Sequence, residues 1–290
     1  MSMLDQLVER LTGPVQNRAV VRVFRLAVYG WALINTLMLL PVAADVWGPD
    51  AFIERSFLDG FYFLKIFNLL GHSGVNDWYW LFIAVQLGAL VLAMLRIWPR
   101  LSGFVVWLIT ANLFYKAIAL SHGGYWIMNL MLFFAIWMDD KPSSGPETRQ
   151  SVTSNVVANL AFYGAQVQLA IMYAGTGLYK LGGELWLKGE ALHYVFNIDA
   201  FSHPLVKEYV AASTVIVLLG TWFALFYQLL FPVLIWFRKF RPWVLLAGTA
   251  LHLGIAFMMG LVDFGFAMIA CYAIFYSENR CRRWLRWPPA

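Results

Sequence analysis

A succession of long apolar stretches leaves this chain few folds to choose from. A helix needs about 20 mostly apolar residues to cross a hydrocarbon core roughly 30 Å thick. Eight stretches reach or approach that length, at about residues 21–43, 78–98, 101–120, 125–138, 154–179, 209–237, 243–261 and 264–276. In hydrocarbon every backbone N–H and C=O must be satisfied within the protein, which leaves helices or closed barrels. Uninterrupted apolar runs of this length select helices. The expected fold is therefore all-α, a polytopic membrane bundle of about eight transmembrane helices forming a single domain over residues 1–290. Composition agrees: 61% of residues are hydrophobic and only 13% charged, against about 25% charged in soluble domains.

The formal net charge of +5 is no sign of nucleic acid, because the basic residues sit in short clusters at the ends of apolar runs. Placing both termini in the cytoplasm puts fifteen of the 21 Lys and Arg residues inside and ten of the 16 carboxylates outside. That asymmetry is what the positive-inside rule demands of a multi-pass protein in a bacterial-type inner membrane. The polar N-terminus, with no short apolar core and cleavage site behind it, predicts no removable signal peptide. Residues 47–77 mix Phe52, Phe57, Phe61 and Phe67 with charges, and read as an interfacial helix on the outer leaflet or a plug over the bundle. The one linker-like stretch, 141–148, separates two four-span halves. Cys271 and Cys281 form no redox or metal motif, and no disulfide is expected.

Few residues in such a chain can carry chemistry. Lys180 ends the fifth apolar run and is followed by Gly182, Gly183 and the interfacial aromatic Trp186. Ala174, Gly175, Thr176 and Gly177 before it let backbones approach closely, so that a crevice rather than solvent would hold the ammonium. A desolvated lysine can act as a base near neutral pH; the competing reading is a lysine that snorkels from a helix end. His252 lies midway along the seventh run, where an ionisable residue marks function or a histidine bonded to a helix carbonyl or to Gln228. Its flanking Gly248 and Gly254 predict tight packing of a helix or a flat ligand. Asp263, in the tight connection before the last run, suits a helix cap or an ion pair with Lys180. His122 lies in a glycine-rich turn expected at the level of Lys180. Glu190 and His193 have metal-type spacing, but the motif occurs once where di-iron bundles need it twice, so no metal is expected. No phosphate loop, nucleophile elbow or zinc-protease pair appears.

Three pieces of sequence resemble a known family. They are Gln168 through Tyr173 with Gly177-Leu-Tyr-Lys180-Leu and Trp186-x-x-Gly189, then Leu251-His252 before Gly260, and the run 264–276 ahead of a basic end. With residues 129–139, they resemble the horizontally transferred transmembrane domain. That family includes the membrane part of vitamin K-dependent gamma-carboxylase and the proteins that mature sporulation-delaying toxin peptides. The resemblance implies Lys180 as the base that deprotonates a vitamin K-type hydroquinone in an oxygen-dependent step, with His252 as a second catalytic residue. It implies supporting roles for His122, Asp263, Gln168, Trp186 and Tyr173. A second carboxylase histidine aligns near Gly124, two positions from His122, and a family glutamate falls at Gln228, which puts carboxylation of glutamate in doubt.

Two functions follow from different classes. One is an enzyme that binds a reduced quinone in an exoplasmic lysine pocket and uses it, with oxygen, to modify a substrate. The other is a non-enzymatic maturation or immunity factor that binds a secreted peptide through its aromatic outer surface. Beyond the lipid bilayer, a secreted peptide or a partner subunit is the expected partner. The topology itself is testable: reporter fusions at Ser143 and Gly189 score on opposite sides of the membrane, and equal scores would overturn the eight-span path.

Overall fold

The computed structural model describes residues 2–53, 69–70, 75–141 and 152–287. His72 and most of the stretches expected to form the interfacial helix and the linker lie outside them. Among the described residues there is no strand, and the helices of eight or more residues number ten. They are α1 (Met3–Thr12), α2 (Arg18–Leu39), α3 (Tyr79–Leu95), α4 (Pro99–Lys116), α5 (Gly123–Trp137), α6 (Val152–Leu181), α7 (Thr214–Leu234), α8 (Arg241–Met258), α9 (Val262–Cys271) and α10 (Glu278–Leu285). Each of the eight apolar stretches coincides with one of the helices α2 to α9. Four helical segments, Arg18–Trp47, Val152–Leu181, Thr214–Leu234 and Arg241–Met258, are long and apolar enough to cross a membrane by themselves. The sixth stretch starts later than its apolar run: residues Lys207–Ala211 form a separate wide turn, and Ser213 caps α7 by accepting from the Ile216 N–H.

The chain packs as two compact units, Met1–Ala165 with Tyr276–Ala290, and Gln166–Phe275. The boundary thus falls inside α6 and not at the linker, because a 30-residue helix is long enough to serve both.

In the first unit α2, α3, α4 and α5 pack as antiparallel neighbours. Its interior is largely apolar but also holds Arg25, Gln86, Asn112 and Asp140, while large apolar residues such as Ile34, Val91, Leu95, Phe104 and Leu130 lie outside. Some of the buried groups find partners in the protein. Gln86 Nε2 donates to Thr110 Oγ1 at 2.7 Å, and the Trp47 indole N–H donates to the Leu113 carbonyl at 3.0 Å. Near one end of these helices the Arg25 guanidinium donates to the Ala135 and Met138 carbonyls and pairs with Asp140 at 2.7 Å. Arg22 and Arg96 approach the same carboxylate at 3.7 Å each.

The start of α2 has no cap from its own N-cap residue, Asn17. Glu278 of α10 supplies one instead, accepting from the N–H groups of Ala19 and Val20 at 3.1–3.2 Å while bonding Arg282 at 2.8 Å. The segment after the last apolar stretch therefore meets the start of the first.

Removing one member of a buried ion pair leaves the other charge uncompensated and costs about 3–5 kcal/mol. Asp140→Ala leaves three guanidinium groups facing one another and should lower stability by at least that much in a detergent unfolding titration. The double variant Arg25→Met/Asp140→Leu should cost less than the sum of its singles.

Candidate functional site

The second unit gathers Lys180, Trp186, Gln228 and His252. α6 brings Lys180 to its last turn, and Gly182 and Gly183 end the helix there. One short turn later, in Glu184–Leu187, Trp186 folds back so that the Lys180 Nζ stands 4.8 Å from the centre of its ring. A Cβ on Gly183 would press on that indole at 3.0 Å, so the glycine makes room for it. The next turn depends on Gly189, whose φ of +78° lies in the left-handed region and whose Cα abuts Leu218. The helical segment Ala191–Phe196 then docks on α7, where the Leu192 N–H donates to the buried Thr221 hydroxyl at 3.2 Å. Trp222 adds a bond from its indole N–H to the Leu187 carbonyl.

Below this roof lies a cavity of about 410 Å³. Its walls are largely apolar, among them Phe196, Phe223, Leu251, Ile255 and Phe264, and Gly254 leaves one side flat. Lys180, Gln228 and Trp186 are its polar and amphipathic members. The ammonium donates to Gln228 Oε1 at 2.9 Å. That amide is its hydrogen-bonding partner among the described residues, and no carboxylate there pairs with it. Pro232, one turn along α7, has no N–H to give to the Gln228 main-chain carbonyl, so α7 is weakened at the level of the lysine. Of the small residues before Lys180, Gly177 is buried against Leu229, whereas nothing lies within 4 Å of a Cβ on Gly175. Tyr179 is 88% exposed and takes no part in the crevice.

His252 is 2% exposed and stands behind the cavity wall, its ring edge-on to Phe264 at 5.5 Å between centres. Its partner is not Gln228. Nε2 lies 2.7 Å from the Tyr173 hydroxyl, which lies 2.5 Å from that of Tyr272, which in turn lies 2.9 Å from that of Tyr227. Nδ1 is buried with no hydrogen bond. Gly248 makes this chain of hydroxyls fit, since a Cβ there would collide with both the Tyr227 and Tyr272 oxygens. Tight packing at Gly248 is thus packing against tyrosines. Tyr227 and Tyr272 were not singled out in the sequence; a tyrosine in an apolar run reads as bulk, and only the spacing of the helices reveals its hydroxyl's partner.

The other candidates fall outside the cavity lining. Asp263 lies in the first turn of α9 and accepts from the N–H of its neighbour Phe264 at 2.9 Å, while the N-cap position itself is Leu261, with no side-chain cap. Gln168 is half-buried on α6, while its neighbour Gln166 is buried and donates to the Ile274 carbonyl at 2.9 Å. His122 belongs to the first unit, where it caps α5 by accepting from the Gly124 N–H at 3.1 Å. His193 Nδ1 lies 3.1 Å from the Ala211 carbonyl. Among the described residues no group of three or more His, Cys, Asp and Glu side chains is placed to hold a metal ion.

Fold and site together define a helical membrane protein with a lysine set in the wall of an apolar cavity. The chain belongs to the HTTM domain family, whose model matches residues 17–280 and so spans both units. It is similar to "Uncharacterized protein YitO" of Bacillus subtilis (strain 168), with 23% identity over 214 residues, 70% of this chain and 67% of that protein. No solved structure matches.

Gly248 and Gly254 make contrasting test positions. Gly248→Ala drives a methyl into two tyrosine hydroxyls and should destabilise by about 1–3 kcal/mol, the usual cost of overpacking. Gly254→Ala meets only Met258 Sδ, at 4.0 Å, and should unfold within experimental error of wild type.

Proposed function

We propose that the Lys180 cavity binds a reduced quinone of the vitamin K type and that Lys180 takes a proton from its hydroxyl. The observation that carries this reading is the lysine's partner: an ammonium in an apolar wall, bonded to an amide and to no carboxylate among the described residues. A carboxylate beside it would favour the charged form. The Gln228 oxygen makes no such demand, since a neutral amine can keep donating one N–H to it with the lone pair free. The cavity volume lies within the roughly 300–1,000 Å³ typical of small-molecule sites, and its apolar lining with a few polar groups is of the usual kind.

A bound hydroquinone supplies two hydroxyl protons and two electrons, with oxygen as the oxidant that the family resemblance implies. The rest is done by residues of this chain. Gln228 fixes the direction of Nζ, and the Trp186 ring covers its other side. Phe223, Phe264 and Ile255 give the cavity apolar walls. Lys180 in its amine form then takes the hydroxyl proton: an O–H bond breaks, an N–H bond forms at Nζ, and the electron pair stays on the substrate oxygen. His252 acts as a positioning residue, holding Phe264 from behind and anchoring the tyrosine chain. Glutamine at 228 in place of the carboxylase's glutamate argues for oxidation or another modification, not glutamate carboxylation.

The test is turnover by purified protein supplied with menaquinol. Lys180→Ala should lower it by about 10²–10⁴-fold while quinol still binds and the protein melts normally. Lys180→Arg should be nearly as inactive, because a guanidinium does not give up its proton at working pH. The wild-type rate should rise with pH until the amine is fully deprotonated. Full activity in Lys180→Arg would leave only a positive charge for Lys180 to supply. A tightly held peptide co-purifying in place of quinone would turn the cavity's assignment to peptide binding.

A further inference from the structure

We propose that a basic cavity in the first unit binds the phosphate of an anionic phospholipid. It measures about 1060 Å³ and is lined by the cations Arg25, Arg96, Arg100 and Lys141, by the carboxylates Asp139 and Asp140, and by Trp98 and Leu101. It opens where the start of α2, the end of α3, the start of α4 and the end of α5 come together, the level at which a helix bundle meets headgroups.

The charges do not cancel. The carboxylate of Asp140 serves Arg25 at 2.7 Å and faces Arg22 and Arg96 at 3.7 Å, and Asp139 lies 3.8 Å from Arg18, so two carboxylates stand against the four cations of the lining. Arg25 is committed, with its donors engaged by Asp140 and by two main-chain carbonyls. Arg96 faces Asp140 through Nε, and among the described residues the two terminal nitrogens of its fork have no partner. Arg100 is exposed and its side chain, like that of Lys141, has no partner among the described residues. The first turn of α4, with Arg100 and Leu101, faces the same space and has no side-chain cap. Arginine forks and free N–H groups at a helix start are the donors that phosphate oxygens accept from.

The backbone adds a second argument. Arg96 and Trp98 have φ of 65° and 45°, left-handed values that favour glycine. Glycine at either place would relax the turn and remove a guanidinium or an indole from the cavity. Trp98 is 71% exposed and Leu101 59% exposed, directly beside the basic residues. An apolar rim next to a cationic floor fits a phosphate that carries acyl chains better than a free ion, and a tryptophan at this level is a common interfacial anchor.

The experiment uses the full chain, delipidated in detergent. It is titrated with dioctanoyl phosphatidylglycerol, dioctanoyl phosphatidylcholine and inorganic phosphate, with binding read by native mass spectrometry and by thermal shift. Phosphatidylglycerol should bind saturably and at least ten-fold more tightly than either of the others. Arg96→Gln/Arg100→Gln should lose at least ten-fold of that affinity, and Arg238→Gln/Lys239→Gln, at a different basic cluster, should keep it. If the first pair does not reach the wild-type melting temperature, Arg100→Gln alone replaces it, since that side chain holds nothing in the fold; a loss of at least three-fold is then expected. Unchanged affinity in the cavity variants, or an equal loss in the Arg238/Lys239 pair, would overturn the site. Inorganic phosphate binding as tightly as the lipid would overturn the lipid assignment in favour of a free anion.

Discussion

A polar group inside a bundle whose exterior is apolar has no water to turn to, and in each unit a side-chain network meets part of that need from within. In the first unit the need is met with charge, by a carboxylate that ties three arginines and two helix-end carbonyls into one network. In the second it is met without charge, by three tyrosine hydroxyls and an imidazole in a row. Both solutions depend on small details of backbone approach. The tyrosine row exists because residue 248 has no side chain, and α9 crosses α8 closely because Gly265 lets it approach the His252 carbonyl and Ala256.

The two cations Arg25 and Lys180 show how a partner decides a role. Arg25 is buried, bound bidentately to main chain and to Asp140, and has nothing left to offer a ligand. Lys180 keeps a single amide partner and the face of an indole, and it borders an open cavity. An arginine locked by a carboxylate is a structural element; an amine held by an amide can exchange a proton.

The helices were legible in the sequence because hydrocarbon imposes a length, and runs of that length are visible without any knowledge of packing. The glycine turn and the aromatic Trp186 after Lys180 were noted in the sequence, but the ring's return over the ammonium was seen only in the structure. What could not be read were pairings between distant helices. Arg25 and Asp140 lie 115 positions apart, and Tyr173 and Tyr272 lie 99 apart, with no local signal linking them. Gln228 was one of two partners considered for His252, beside a helix carbonyl, and instead serves the lysine, because the depth of a residue along its helix is readable but its rotation about the axis depends on neighbours. The unit boundary inside α6 was hidden for a related reason: a long continuous helix carries no mark of where its packing partners change.

The cap on α2 bears on the order of assembly. The carboxylate that satisfies the opening N–H groups of the first long helix comes from Glu278, 259 positions after Ala19. During synthesis that helix enters the membrane with its leading amides unmet by protein, and they stay so until almost all the other helices have been made. The earliest segment to be inserted is thus among the last to be completed, and closure of this contact reports that the intervening chain has reached its destination.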